Sequence, residues 1–147
     1  MSQYLTVSEA ETYFSGRYNS PAWDESSDTD KNKALITATR SIDRLNFYGE
    51  VAVEGQDLQF PRGTDTEIPQ DILDACCEVA YSLLDGKEPE IDYENLSMVS
   101  QGYGNVRSTY DRDIKPDNEL AGISSIVAWR LLLPYLRDPR QVSVNRV

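Results

Sequence analysis

The stretch QDLQFPRGTDTEIPQDILDACCEVAYSLLDG, residues 56–86, decides the fold. Pro61 stops its first half, and the second half is an apolar run with helical spacing. Pro69 suits the first turn of a helix, and Gly86 suits the position just past its end. The spacing therefore predicts a helix whose apolar face is formed by Ile72, Ala75, Cys76, Val79, Ala80 and Leu83.

Two helices are predicted before this stretch. Thr6 and Glu9 have the spacing of a capping box, which indicates a first helix that stops near Gly16. Residues 18–27 then read as a loop that Trp23 pins to the core. A second helix begins at Ser27 or Asp28, and its apolar stripe is Leu35, Ala38, Ile42 and Leu45.

Residues 47–60 contain two glycines, which favours an irregular loop or a short hairpin over a helix. Residues 87–115 have almost no helical periodicity, and Gly102 and Gly104 indicate a β-hairpin within this long excursion. A fourth helix is predicted from Asp117 or Asn118, bent or ended by Pro134.

The predicted fold is therefore mainly α: a four-helix, bundle-like domain with a hairpin or long loop between the third and fourth helices. We expect one domain over residues 1–136, with the excursion at 87–115, and an extended carboxyl-terminal tail over 137–147. Its expected structural core includes Leu35, Ile42, Ile72, Val79, Leu83 and Trp129.

The charge of the chain is unevenly distributed. The net charge is −11, but residues 1–100 hold 20 acidic and 7 basic side chains, whereas residues 101–147 hold 5 acidic and 7 basic ones. An acidic body is a poor surface for wrapping nucleic acid, because lysine and arginine contacts to phosphate supply most of that affinity. Arg40 and Arg44 lie one turn apart on the second predicted helix. They could contact a partner, but a solvated flank or an ion pair within the helix is the favoured interpretation.

The residues of the chain give little support for catalysis or metal binding. The chain has no histidine, so a Ser-His or Cys-His nucleophile is excluded. Cys76 and Cys77 are adjacent and lack the spacing of a zinc site or of a good disulfide. We expect no enzyme activity, no cofactor and no metal. No signal peptide or apolar run of 18 residues is visible, which predicts a cytosolic protein without membrane contact.

Three short parts of the chain together resemble one family. They are the second predicted helix, with Ala34-Leu35-Ile36 and Ala38-Thr39-Arg40, the later segment Leu58-Gln59-Phe60-Pro61-Arg62, and the pair Ile68-Pro69. The chain resembles the small head completion, or head-tail adaptor, proteins of tailed bacteriophages, some of which are described as DnaT-like single-stranded DNA-binding proteins. Residues 4–14, 33–45 and 129–136 resemble further helices of that family, while residues 87–115 do not match it.

The resemblance implies a structural protein of the virion neck that is made in the host cytoplasm. It would form a ring, twelve copies around an axis, that docks on the portal protein and receives the next neck or tail component (a stopper, a tail terminator, or a tail tube or nozzle protein). Double-stranded DNA would pass through the ring without specific binding, and an acidic lumen would suit that passage. The carboxyl-terminal tail would face the portal through Arg137, Arg140, Val142, Val144, Arg146 and Val147, although a disordered tail fits the residues equally well.

The hairpin would contact a neck component or a neighbouring subunit through Tyr103, Arg107, Tyr110 and Arg112. Tyrosine and arginine are enriched at interface hot spots, which favours a protein contact there. The same residues come closest to a stacking platform for bases, so the alternative function is that of a single-stranded DNA-binding replication accessory protein.

Overall fold

The structure is a computed structural model that describes residues 2–87, 100–103, 106–109 and 117–137. It is mainly helical, as the sequence predicts. The helices in chain order are α1 (Val7–Ser15), α2 (Pro21–Asp24), α3 (Asp28–Asp43), α4 (Gln70–Leu84), α5 (Asp117–Leu120) and α6 (Ile126–Leu132), and a 3₁₀ turn (Leu133–Tyr135) follows α6.

The core is built around α4. Helices α3 and α6 pack on it most extensively, and α1 and α2 also contact it. Leu35, Ile42 and Ile72 are completely buried, and Val79 is 3% exposed. Burying a side chain of this size contributes about 2 kcal/mol. Leu83 and Trp129, which the sequence assigns to the core, are only partly buried and pack against its edge.

Side-chain oxygens cap the amino ends of α1, α3 and α6. The Thr6 hydroxyl accepts a hydrogen bond from the backbone N–H of Glu9 at 3.3 Å and donates to the Glu9 carboxylate at 3.0 Å. Ser27 caps α3 in the same way through the N–H of Asp30. These caps satisfy donors that a helix leaves unpaired at its start, so the amino ends of α1 and α3 lie where the sequence predicts them.

The predicted loop at residues 18–27 contains a short helix, α2, which starts at Pro21. The loop prediction was wrong at this point because proline, which favours turns, also fits the first position of a helix. Trp23 on α2 is completely buried and stacks on Phe14 with ring centroids 4.2 Å apart. It therefore attaches this segment to the core, as expected.

The predicted fourth helix is divided in two. Gly122 adopts a positive φ of 81°, and the Asn118 side chain donates to the Ile123 carbonyl at 3.0 Å. A new helix then begins, capped by Ser125, whose hydroxyl accepts from the N–H of Ala128. The apolar spacing continues across the break, so periodicity alone could not locate it.

The excursion between α4 and α5 contains a hairpin at the predicted position. Strands β1 (Ser100–Tyr103) and β2 (Val106–Thr109) pair antiparallel, with Tyr103 opposite Val106 and Gly102 opposite Arg107. The remaining residues of the excursion and the tail after Arg137 lie outside the described residues.

Candidate nucleic-acid interface

The segment after α3 meets the end of the described chain in a small antiparallel bridge. Phe47 pairs with Leu136; the N–H of Tyr48 donates to the Tyr135 carbonyl at 2.9 Å, and that of Arg137 donates to the Asn46 carbonyl at 3.0 Å. Phe47 and Leu136 are buried. Because side chains alternate across an extended segment, their neighbours point to the opposite side.

We call the solvent side of this bridge, formed by Asn46, Tyr48 and Arg137, the bridge face. All three residues are exposed, and 58% of Tyr48 is accessible. Tyr48 and Arg137 occupy diagonal positions of the bridge, a separation that an aromatic and a long cationic side chain can span. The bridge face thus combines an exposed aromatic ring with a cation.

Arg62 contacts the backbone at the bridge face. Its guanidinium donates to the carbonyls of Tyr48, at 2.8 Å, and of Gly49, and also to the carbonyl and side-chain oxygens of Gln59. A planar fork with five donors is suited to this multiple contact. Arg62 therefore holds the loop together, and its charge lies against the backbone carbonyl of Tyr48.

The other members of the Gln56–Arg62 segment are also structural. The Gln56 amide donates to the carbonyls of Leu58 and Pro61 at 2.7 and 2.9 Å. Phe60 is buried, is joined to Pro61 by a cis peptide bond, and contacts the rings of Tyr4, Phe47 and Tyr135. The motif that carries the family resemblance thus builds the loop that supports Tyr48.

A cleft of about 550 Å³ lies between α3 and this loop. Arg40 and Arg44 line it together with Asp43, Asp57 and Leu58, and with Ser2 and Thr39. Asp43 accepts hydrogen bonds from the Tyr4 hydroxyl and from the Gln59 N–H, and Asp57 accepts one from the Ser2 hydroxyl at 2.7 Å. Burial raises the pKa of Asp43, against the effect of the Tyr4 hydrogen bond, and both burial and Asp43 raise the pKa of Tyr4.

Gln59 connects the cleft to the bridge face, because its N–H contacts Asp43 while its side chain contacts Arg62. Four arginines are therefore grouped around the carboxyl end of α3 and the bridge, and we call this region the arginine end (Arg40, Arg44, Arg62 and Arg137). Carboxylates also lie in this region, because Asp43 and Asp57 line the cleft. Tyr135 donates to Asp71 at 3.0 Å, and burial, with Asp71, raises the pKa of that tyrosine.

Two other basic side chains are engaged elsewhere. Arg17 forms a salt bridge with the buried carboxylate of Glu78 at 3.0 Å, and its guanidinium lies 4.0 Å from the centre of the Tyr81 ring. Lys31 forms one with Glu11 at 2.8 Å. Neither cation belongs to the arginine end, and acidic partners neutralise both.

A second surface feature is an apolar face on α6 and its neighbours. Ile126 and Val127 are each 50% exposed, Leu133 is 44% exposed, and Leu120 on α5 is 55% exposed. We call these four residues the α6 face. Exposed apolar side chains that cluster on one short segment are typical of contact surfaces.

Cys76 and Cys77 are buried, and burial raises the pKa of both thiols, to about 12 for Cys76. Among these residues no group of three or more His, Cys, Asp or Glu side chains could hold a metal ion. No helix in the described ranges is long and apolar enough to span a bilayer.

The site residues expected from the sequence are only partly described. Arg137 is exposed on the bridge face, and Tyr103 and Arg107 lie in β1 and β2. Outside the described residues lie Tyr110, Arg112, Arg140, Val142, Val144, Arg146 and Val147. Sequence reasoning missed Tyr48, whose exposure depends on a bridge between distant segments, and gave Arg40 and Arg44 no role.

A family model described as "Putative DnaT-like ssDNA binding protein" matches residues 2–145. The chain belongs to this family. That description is one of the two attached to the resemblance noted from the sequence, and it names DNA binding rather than a head-tail role. No curated protein matches the chain. No solved structure matches it either.

Proposed function

We propose that the protein binds single-stranded DNA as a replication accessory protein and that the bridge face is its contact surface. The family match carries this proposal. Among the described residues, the exposed Tyr48 is best suited to it, because its carbonyl accepts from the Arg62 guanidinium and it lies diagonally across the bridge from Arg137. A base can stack on an exposed tyrosine while a neighbouring arginine contacts its phosphate.

The acidic body limits this interaction to a small part of the surface. Net charge of −11 repels phosphates, so contacts outside the arginine end are unfavourable. When the protein binds a single strand, the strand releases counterions in proportion to the number of phosphates that the protein neutralises. A site that neutralises three phosphates would lose about 20-fold in affinity between 50 and 200 mM salt. The proposed binding is therefore short-range and sensitive to salt.

Fluorescence anisotropy with a labelled oligothymidine at 50 mM salt tests the proposal. Tyr48→Ala should weaken binding about 5- to 160-fold, because stacking contributes about 1–3 kcal/mol per base. Tyr18→Ala is the matched control, since Tyr18 is a fully exposed tyrosine at the α1–α2 connection. The proposal fails if the unaltered protein does not bind, or if both substitutions have the same effect.

The α6 face favours a second candidate function, that of the head-tail adaptor that the resemblance implies. In this role the protein would assemble into a ring of identical subunits, dock on the portal protein and contact the next neck or tail component, within the virion neck. Leu120, Ile126, Val127 and Leu133 would supply an apolar contact between subunits. The acidic charge would let double-stranded DNA pass without adhering.

Negative-stain microscopy of the protein mixed with portal rings tests this second candidate, beside a version cut after Leu136. The adaptor role predicts that the full chain decorates portal rings and that the shortened chain does not, because the tail would be the anchor. Absence of decoration by both versions, together with DNA binding at physiological salt, would reject the adaptor role.

A further inference from the structure

The guanidinium of Arg62 is already occupied by the protein. Its Nε donates to the Tyr48 carbonyl at 2.8 Å, and its Nη2 donates to the Gly49 carbonyl. Its Nη1 donates to the carbonyl of Gln59 at 3.3 Å and to the side-chain oxygen of that residue at 2.7 Å. A guanidinium has five N–H groups, so these bonds use all but one of them. Arg62 therefore cannot offer phosphate a bidentate contact without breaking hydrogen bonds to its own loop.

Arg137 is engaged only through its backbone in the part of the chain that the structure describes. Its N–H donates to the Asn46 carbonyl at 3.0 Å, beside the pair of Phe47 and Leu136. The side chain is exposed, and no carboxylate of the described residues forms a salt bridge with it. The bridge thus fixes the attachment point of Arg137, while its guanidinium is available at the surface.

The hydrogen bonds of Arg62 fix the backbone that carries the Tyr48 ring. The Tyr48 N–H donates to the Tyr135 carbonyl at 2.9 Å, and the Tyr48 carbonyl accepts from Arg62, so both polar groups of its backbone are held. Gly49 follows with a positive φ of 71°, a conformation that favours glycine, and its carbonyl is also held by Arg62. Because 58% of Tyr48 is exposed, the direction of its ring depends on this backbone more than on packing around the ring.

We infer that Arg62 is a positioning residue for DNA binding, which acts through Tyr48, and that Arg137 is the arginine that contacts the phosphate of the stacked nucleotide. This inference rests on the proposed DNA-binding function and divides the roles of the two arginines within it. A ring that is held in place before binding loses less conformational freedom when a base stacks on it, so more of the stacking energy appears as affinity. An exposed guanidinium, in contrast, can replace the counterions of a phosphate.

The salt dependence of oligothymidine binding separates the two roles. Arg137→Gln should lower the slope of log affinity against log salt by about 0.7, the value for one phosphate contact on a single strand. Arg62→Gln should weaken binding about threefold to tenfold and leave the slope unchanged. Arg62→Lys should weaken binding as much, because lysine keeps the charge but not the fork. Lys33→Gln is the matched control for the loss of one positive charge, since Lys33 is exposed on α3.

A double-mutant cycle tests whether Arg62 acts through Tyr48. In the Tyr48→Ala background, Arg62→Lys should have no further effect on affinity, because the ring that Arg62 positions is absent. A general loss of stability would instead weaken binding by the same factor in both backgrounds. Thermal melting of each variant verifies that it is folded at the temperature of the binding assay.

Several outcomes would overturn the inference. A lower slope for Arg62→Gln that Arg62→Lys restores would make Arg62 itself the phosphate contact. An unchanged slope for Arg137→Gln, or an equal change for Lys33→Gln, would remove Arg137 from that role. An equal effect of Arg62→Lys with and without the Tyr48 ring would show that Arg62 does not act through it. If the unaltered protein does not bind the oligonucleotide, or if Tyr48→Ala does not weaken binding, the proposed function itself fails.

Discussion

Trp23, Lys31 and Glu11 form a cluster between α1, α2 and α3. The ammonium of Lys31, which is almost completely buried, lies 2.8 Å from the Glu11 carboxylate and 5.0 Å from the centre of the Trp23 ring. The indole N–H of Trp23 is buried, and no atom of the described residues accepts from it within hydrogen-bond geometry. Lys31, and secondarily Trp23, lower the pKa of Glu11 below its ordinary value of 4.5. The Glu11 carboxylate is thus paired with the Lys31 ammonium, and the indole of Trp23 has a smaller effect on its pKa.

The Glu11→Gln substitution should make stability depend less on pH. A pKa lower in the folded than in the unfolded protein means that ionised Glu11 stabilises the fold above pH 4.5, and that this contribution disappears as the pH falls below that value. Removing the charge should cost less than about 1 kcal/mol at neutral pH, because the Glu11 side chain is 48% exposed and solvent screens the pair. Thermal melting of both proteins between pH 7 and pH 3 measures the difference.

The difference in melting temperature should shrink as the pH falls below 4.5, because protonation of Glu11 then favours the unfolded state of the unaltered protein. Glu25→Gln is the control, since Glu25 is exposed and follows α2. A difference that stays constant across this range would show that the Lys31 pair does not stabilise the fold.

The buried Glu78 illustrates what a sequence hides at the residue scale. Its carboxylate accepts hydrogen bonds from Tyr13 and from Arg17, whose positions are 65 and 61 residues away in sequence. On the apolar stripe of α4 it is the charged exception, and a buried carboxylate requires such partners. No local pattern in the chain links Arg17 to Glu78.

At the scale of elements, the loop between α3 and α4 is organised by Arg62. Besides the contacts of its side chain, two backbone hydrogen bonds cross the loop, from Ala52 to the Pro61 carbonyl at 3.0 Å and from Gly63 to the Glu50 carbonyl at 2.8 Å. Pro61 stops the extended segment as the sequence predicts. The structural role of Arg62 was not predicted, because the carbonyls of Gly49 and Tyr48, to which it donates, lie 13 and 14 residues before it.

Arg62→Lys should loosen this loop although it preserves the charge. A lysine ammonium is compact and cannot reproduce the fork that reaches Tyr48, Gly49 and Gln59 together. We expect a loss of about 1–2 kcal/mol in unfolding free energy. Hydrogen exchange should accelerate at the amides of Ala52 and Gly63. Arg44→Lys is the control, and equal protection of these amides in both variants would contradict the structural role of Arg62.

At the scale of the whole molecule, the α6 face and the acidic body have opposite consequences for assembly. Net charge of −11 opposes close approach of identical subunits, whereas an exposed apolar surface favours it. The outcome depends on salt, because screening weakens the repulsion more than it weakens the apolar contact.

Self-association should therefore increase with salt and require the α6 face. In sedimentation velocity at high protein concentration, Val127→Asp with Leu133→Asp should shift the protein toward a monomer, because two buried carboxylates would oppose the contact. Val53→Asp is the control, since Val53 is an exposed apolar residue of the α3–α4 loop. A monomer at every salt concentration for the unaltered protein would contradict assembly through this face.

The sequence by itself determined what local physics controls. Helix boundaries lie at the capping residues Thr6 and Ser27, at Pro69 and at Gly86. The spacing of apolar residues identifies the buried faces of α3 and α4. These features depend on residues within about one helical turn, so they can be recognised in the printed chain.

Only the tertiary structure decided which distant residues meet. The bridge between Phe47 and Leu136 turns Tyr48 and Arg137 to the solvent, and the α3–α4 loop brings Leu58 against the flank that carries Arg44. Contacts between segments so far apart depend on the packing of the whole core, to which α1, α2, α3, α4 and α6 contribute. The candidate DNA surface is therefore a product of the fold, because no continuous stretch of sequence contains it.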